Sequence, residues 1–254
     1  MASQPAQQLP LFYQNLTPLS SEVHKDWGLV QRTDLKFARN THAVPIIVDE
    51  FVQVQRNFPI VFTDGDDAVP LALVGLKEGV NLFIDDEGKW AESAYIPAYV
   101  RRHPFMLARL QPDSDVLSLV FDDAANLLSA DAAEKLFDAE RKPTETTDNI
   151  MKFCESFEQG IGRTKSFMEE LQSLDLLMEG QAQIQNPDMP EPARFAGFRM
   201  IDEKKLQNIR GDQARKMVQN GMMGLIYAHL FSLSQMRELF AKMNGVPADA
   251  ASAG

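Results

Sequence analysis

Cysteine is nearly absent from this chain. Cys154 is the only one among 254 residues, so no internal disulfide forms and no cysteine-based zinc site is available. Positive charge is also scarce: 25 Lys and Arg stand against 36 Asp and Glu, a net charge of −11. Recognition of nucleic acid through its phosphates needs a positive field, so nucleic acid is not an expected partner. The first residues, MASQPAQQLPLFYQNL, hold no basic segment and no apolar run of seven. They predict no secretory signal and a cytoplasmic chain, with surface export only by a signal-independent route, and residues 1–15 read as a flexible start. A Gly-x-Ser-x-Gly elbow is missing. Gly160-Ile161-Gly162 lacks the third glycine of a dinucleotide loop and follows no strand. No motif requires a cofactor.

Long apolar runs are equally rare. Met217 to Met236 holds twenty residues without Lys, Arg, Asp or Glu, long enough to cross a bilayer. Gln219, Asn220, His229, Ser232, Ser234 and Gln235 would be costly in lipid. The stretch therefore predicts a buried helix and no membrane span.

What the chain does contain changes character once. Residues 28–123 read as strands. Four segments place proline beside an apolar run: Val44 to Val48, Phe58 to Phe62, Val69 to Val74 and His103 to Leu107. Proline is tolerated at a strand's first residue, and the following β-branched and aromatic residues favour a sheet. Thr63-Asp64-Gly65-Asp66-Asp67 predicts a hairpin turn. Asn81 to Ile84, Lys89 to Ala91 and Val116 to Phe121 read as further strands. Phe51 to Arg56 fits either a strand or a short helix. Ala130 to Phe137 predicts a short helix, and Thr146 to Glu179 a long one with an apolar stripe through Phe153, Cys154, Phe157, Ile161, Met168 and Leu171. Leu176 to Ile184 and Phe195 to Ile201 read as strands. Asp202 caps a short helix, and the last helix starts at a capping box in Ser232 to Gln235 and ends at Gly245.

The predicted class is α+β: a mostly antiparallel sheet from the N-terminal half, with helices of the C-terminal half packed on one face. One domain is expected over residues 16–245, strand-rich over 28–123 and helix-rich over 131–245. A proline-rich linker at 185–192 and a flexible tail at 246–254 complete it.

The residues capable of chemistry form no recognised catalytic set. Cys154 sits on an apolar stripe and predicts a buried, inert thiol. His24-Lys25-Asp26 fits half of an iron facial triad, with His229 or His103 as third ligand; the alternative places His24 and Asp26 on the loop that leads into the fold and His229 in the core, satisfied by hydrogen bonds. The carboxylate pairs Asp85-Asp86 and Asp122-Asp123 fall at strand ends, where turn chemistry explains them. The densest cluster runs from Trp90 to Phe105. Trp90, Tyr95, Tyr99, Arg101, Arg102 and His103 combine rigid aromatic area with planar cationic donors, the composition of a binding surface. In an acidic protein these arginines suit a carboxylate of a peptide or small ligand. The same residues also fit core anchors and paired cations. Arg199 is a second candidate of this kind.

Asn57 to Phe62, Leu73 to Leu76, Asn81 to Phe83, Trp90, and Tyr95 to Phe105, followed by Gly197 to Asp202 and Gly224 to Leu233, resemble the SapC-like family of bacterial proteins. The resemblance runs from about Leu16 to Leu239. It implies an association with paracrystalline surface layers and a setting beside outer-membrane receptors. It transfers no catalytic residue. The readings carried forward are a non-enzymatic binding or accessory protein with a polypeptide or small acidic ligand, an iron-dependent oxygenase-like enzyme, and a structural surface-layer component.

Overall fold

The computed structural model describes residues 9–111, 115–184 and 193–245. The expected linker at 185–192, the tail at 246–254 and the first eight residues of the expected flexible start lie outside the described residues. In chain order the elements are β1 (Leu16–Pro18), β2 (Gly28–Leu29), β3 (Ala43–Pro45), α1 (Phe51–Val54), β4 (Ile60–Phe62), β5 (Pro70–Leu73), α2 (Ala98–Arg101), β6 (Phe105–Arg109), β7 (Leu117–Asp122), β8 (Leu128–Ser129) and β9 (Glu134–Lys135). There follow α3 (Glu145–Ser173), β10 (Leu177–Ile184), β11 (Ala193–Ile201), α4 (Glu203–Gln207), α5 (Gly211–Gln219), α6 (Met222–Ser232) and α7 (Gln235–Asn244). Every strand pair is antiparallel, and the class is α+β.

The chain divides into two compact units, each built from two segments: residues up to 33 with 101–158, and 34–100 with the residues from 159 onward. This division cuts across the expected strand-rich and helix-rich regions. The helix α3 contributes residues to both.

In the first unit one sheet has the order β1-β7-β6 and a second the order β8-β2-β9. Phe105, Leu107, Leu119 and Phe121 alternate toward one face and pack on Cys154 of α3. Ala130 to Phe137 is not the expected helix. Its Glu134 and Lys135 pair with Leu29 and Gly28, and a Cβ on Gly28 would fall 2.6 Å from the Glu134 carbonyl oxygen. This close backbone approach outweighs the local helix preference of Ala, Glu and Lys.

In the second unit the sheet order is β10-β11-β4-β5-β3. The Asp64-Gly65 turn joins β4 to β5, with Ile60 opposite Ala72 and Phe62 opposite Pro70. Pro70 opens its strand as expected, whereas Pro45 closes β3 and the chain then enters a 3-10 turn at Val48–Glu50. Asn81 to Ile84 and Lys89 to Ala91 form a short bridge at Ile84–Trp90, flanked by backbone bonds from Asp85 to Lys89 and from Ala91 to Phe83, rather than full strands. Phe51 starts a short helix. Side chains alternate along β4. Phe62 points toward His229 of α6 and Phe167 of α3, while Val61 clusters with Met236 and Phe240 of α7. Helices therefore meet this sheet on both faces, with α7 covering part of the Val61 face.

The helix α3 continues through Gly160 and Gly162. A Cβ at Gly160 would come within 2.5 Å of Ile47 Cδ1, so this glycine admits Ile47 rather than breaking the helix. The buried stripe then passes through Gly160, Thr164, Phe167 and Leu171, and Ile161 is left exposed. Asp202 caps α4, accepting from the Lys204 and Lys205 amides. The uncharged run is not one helix: it takes the end of α5, all of α6 and the start of α7, and Gly221 with a left-handed φ of 81° separates α5 from α6. Among the described residues no helix is long and apolar enough to cross a membrane. The Ser232–Gln235 capping box does not form. Ser232 Oγ instead accepts from the Ile60 amide at 2.8 Å and donates to the His229 carbonyl at 2.6 Å.

Candidate functional site

The residues expected to form a binding surface divide between the units. In the second unit Trp90 is buried, with its ring stacked on Phe83 and edge-on to Phe58. Tyr99 is buried on α2. Tyr95 is held by Glu50: its hydroxyl donates to Glu50 Oε2 at 3.3 Å, and the same oxygen accepts from the Ala98 amide at 2.9 Å. One buried carboxylate thereby fixes the turn that starts α2.

In the first unit Arg102 and His103 are buried and Arg101 is exposed. The Arg102 guanidinium lies 4.4 Å from the Phe157 ring centroid and 3.8 Å from Glu158. Burial raises the Glu158 carboxyl above its ordinary pKa, opposed by Arg102. His103 Nδ1 accepts from Arg32 at 2.8 Å, which leaves the proton on Nε2, facing Asp122 at 3.4 Å. Burial, and then Arg32, hold this imidazole down to about 4 against the pull of Asp122. Asp122 also accepts from the Asn15 amide at 2.7 Å. Arg32, His103, Asp122 and Asn15 thus form one hydrogen-bonded network inside their unit.

Of the two arginines expected at a binding surface, Arg102 is therefore held inside its unit, whereas Arg101 is exposed. Arg102→Ala removes a buried cation from the Phe157 and Tyr13 rings and from Glu158, and should cost about 2–4 kcal/mol. Arg101→Ala removes an exposed contact 5.2 Å above Phe153 and should cost under about 1 kcal/mol. Urea unfolding of the two single variants checks this; equal stabilities would show that Arg102 is not structural.

The metal alternative fares no better. His24 is buried against Trp27 and Phe121, and its Nδ1 accepts from the Ser20 amide. Asp26 is exposed beside Lys25. Both ring nitrogens of His229 are engaged by backbone, Nδ1 with the Ile60 carbonyl at 2.8 Å and Nε2 with the Ile201 amide at 3.1 Å, so no lone pair is left for a metal. Among the described residues no group of three or more His, Cys, Asp or Glu is placed to hold an ion. Burial pushes the Cys154 thiol up to about 11, which makes it inert at neutral pH.

A concave surface lies elsewhere, on the Val61 face of the five-stranded sheet. A groove of about 440 Å³ runs over Leu71, Leu73, Phe195 and Phe198, with His42 and Arg194 among its polar lining and Asp64 and Glu78 also beside it. A β-bulge makes its aromatic wall. Gly180 pairs with Phe198 and Gln181 with Ala196, leaving Gly197 unpaired at φ 89°. The extra residue brings Phe195 and Phe198 to the same face despite an odd spacing. Phe198 lies across Gly180, where a Cβ would come within 2.1 Å of its ring. A second hollow of about 440 Å³ adjoins Phe198 on the other side, lined by Ala182, Met200, Leu233, Met236 and Arg237. Arg199 points to the opposite face and donates to the Leu177 carbonyl at 3.3 Å.

Sequence reasoning missed this groove. Val69 to Val74 is apolar throughout, so alternation could not say that Leu71 and Leu73 are the half-exposed pair and Ala72 the buried one. The glycine inside an apolar strand, Gly197, was the available signal for a bulge.

Comparison with known proteins adds one match: a family model described as SapC fits residues 19–239. No curated protein and no solved structure matches the chain.

Proposed function

Because the chain belongs to the SapC family, we propose that it is a binding or accessory protein, linked to bacterial surface-layer or outer-membrane receptor-dependent uptake, which takes a polypeptide segment or small acidic ligand in the groove over Leu71, Leu73, Phe195 and Phe198. The carrying observation is the groove's make-up. Its volume of about 440 Å³ suits one small molecule or a few side chains. Its floor is apolar, and the exposed Arg194 can pair with a carboxylate through two parallel hydrogen bonds. The link to surface layers and receptors comes from the family resemblance.

The test is a titration followed by backbone amide NMR, using a panel of apolar carboxylates and acidic peptides. Shifts are expected to gather at residues 71–76 and 194–198. Arg194→Ala, at an exposed site, should weaken the best binder about tenfold, the scale of one charge-assisted pair. Binding with unchanged affinity in that variant, or shifts confined to other elements, would overturn the assignment.

A further inference from the structure

The strand β10 ends the five-stranded sheet, and among the described residues no strand pairs with its outer side. Such an edge directs every second N–H and C=O outward and invites another strand. Proteins protect edges with short strands, lysine or proline. The opposite edge follows this rule: β3 has three residues and ends in Pro45. The edge at β10 does not. It has eight residues, Leu-Met-Glu-Gly-Gln-Ala-Gln-Ile, with one charge and neither lysine nor proline. Met178 is 41% exposed, and opposite it in register is Met200, a lining residue of the second hollow.

We propose that β10 pairs antiparallel with β10 of a second copy, about a two-fold axis beside Gly180. The strand's own order selects this occupant. Residues directly opposite across an antiparallel pair share a face. An axis at Gly180 sets Met178 opposite Ala182, Glu179 opposite Gln181 and Leu177 opposite Gln183, so Met178 meets an apolar residue and the only acid meets an amide. An axis at Glu179 would instead oppose two carboxylates. The two five-stranded sheets become one continuous ten-stranded sheet under a two-fold operator, the commonest symmetry of homo-oligomers. The net charge of −11 per copy opposes association, but salt screens charges beyond about 8 Å at physiological strength. A half-dissociation concentration on the order of 10–100 µM suits so small an interface.

Sedimentation velocity of the full chain from 1 to 200 µM in 0.15 M NaCl tests this. Met178→Lys and Gln181→Lys change the net charge identically, and the register predicts opposite outcomes. Met178→Lys buries a cation against Ala182 of the second copy and should leave only monomer. Gln181→Lys faces Glu179 twice per dimer and should tighten association about fivefold, with two cross-strand ion pairs. Circular dichroism confirms that both variants are folded. A wild-type chain monomeric at 200 µM overturns the proposal, and so does a dimer that survives Met178→Lys or that both lysines shift alike.

Discussion

His229→Leu is expected to lower the unfolding free energy by about 3–5 kcal/mol, although leucine nearly matches the imidazole in volume. The ring is fully buried on α6. Its Nδ1–H donates to the Ile60 carbonyl of β4, and its Nε2 accepts from the Ile201 amide of β11. These strands pair with each other at a single register position, Arg199 opposite Phe62, so the imidazole supplies bonds that a longer ladder would have made. Ser232 completes the clamp by accepting from the Ile60 amide. Leucine strands a carbonyl and an amide in a dry interior, each at about 1–3 kcal/mol, and loses the ring's contact with Phe62 at 4.8 Å. Urea unfolding should show a lower midpoint with an unchanged slope. His229→Gln, which keeps a donor and an acceptor, should recover part of the loss. A change below about 1 kcal/mol would mean that the two backbone groups find other partners and that the clamp is incidental.

The features legible in the sequence are those fixed by local chemistry. Asp64-Gly65 makes its turn, Asp202 caps its helix and Gly245 ends the last one in a left-handed conformation, because each effect acts within a few residues. The α+β class followed from period and connection length. Where distant partners decide, the local reading failed. Residues 134–135 are extended because β2 lies beside them, not because of their own preference. Ser232 leaves its capping role for an amide 172 positions away. Trp90, Arg102 and His103 have the composition of an interface, yet all three are buried. Aromatic rings with planar cations serve equally well in a core, and composition alone carries no information on which side of the surface they lie. The groove was hidden for the converse reason: its walls are ordinary strand residues turned outward by sheet pairing and by one extra glycine.

Acid should destabilise the protein well above the pKa range of free carboxylates. His103 and His229 are both held to about 4 in the folded chain, chiefly by burial, against about 6.5 when unfolded. Between these values the unfolded chain binds more protons than the folded one, so stability falls as pH falls. The loss begins near pH 6.5 and is complete near pH 4. It amounts to about 3 kcal/mol for His229 and about 2 kcal/mol for His103, the latter discounted for solvent screening of its charged neighbours. Burial also lowers His24, which acts in the same direction. Glu158, raised by burial, acts in the opposite one. His229 and His103 belong to different units, so transitions that separate in a melting curve should each move with pH. Thermal midpoints from pH 8 to pH 4 at constant ionic strength check the size of the loss. Calorimetry near pH 5 in buffers of different ionisation heat should show uptake of about two protons on unfolding. His229→Gln should remove about one of them and flatten the slope below pH 6.5. A midpoint that does not move between pH 7 and pH 5 would show that neither imidazole is held neutral by the fold.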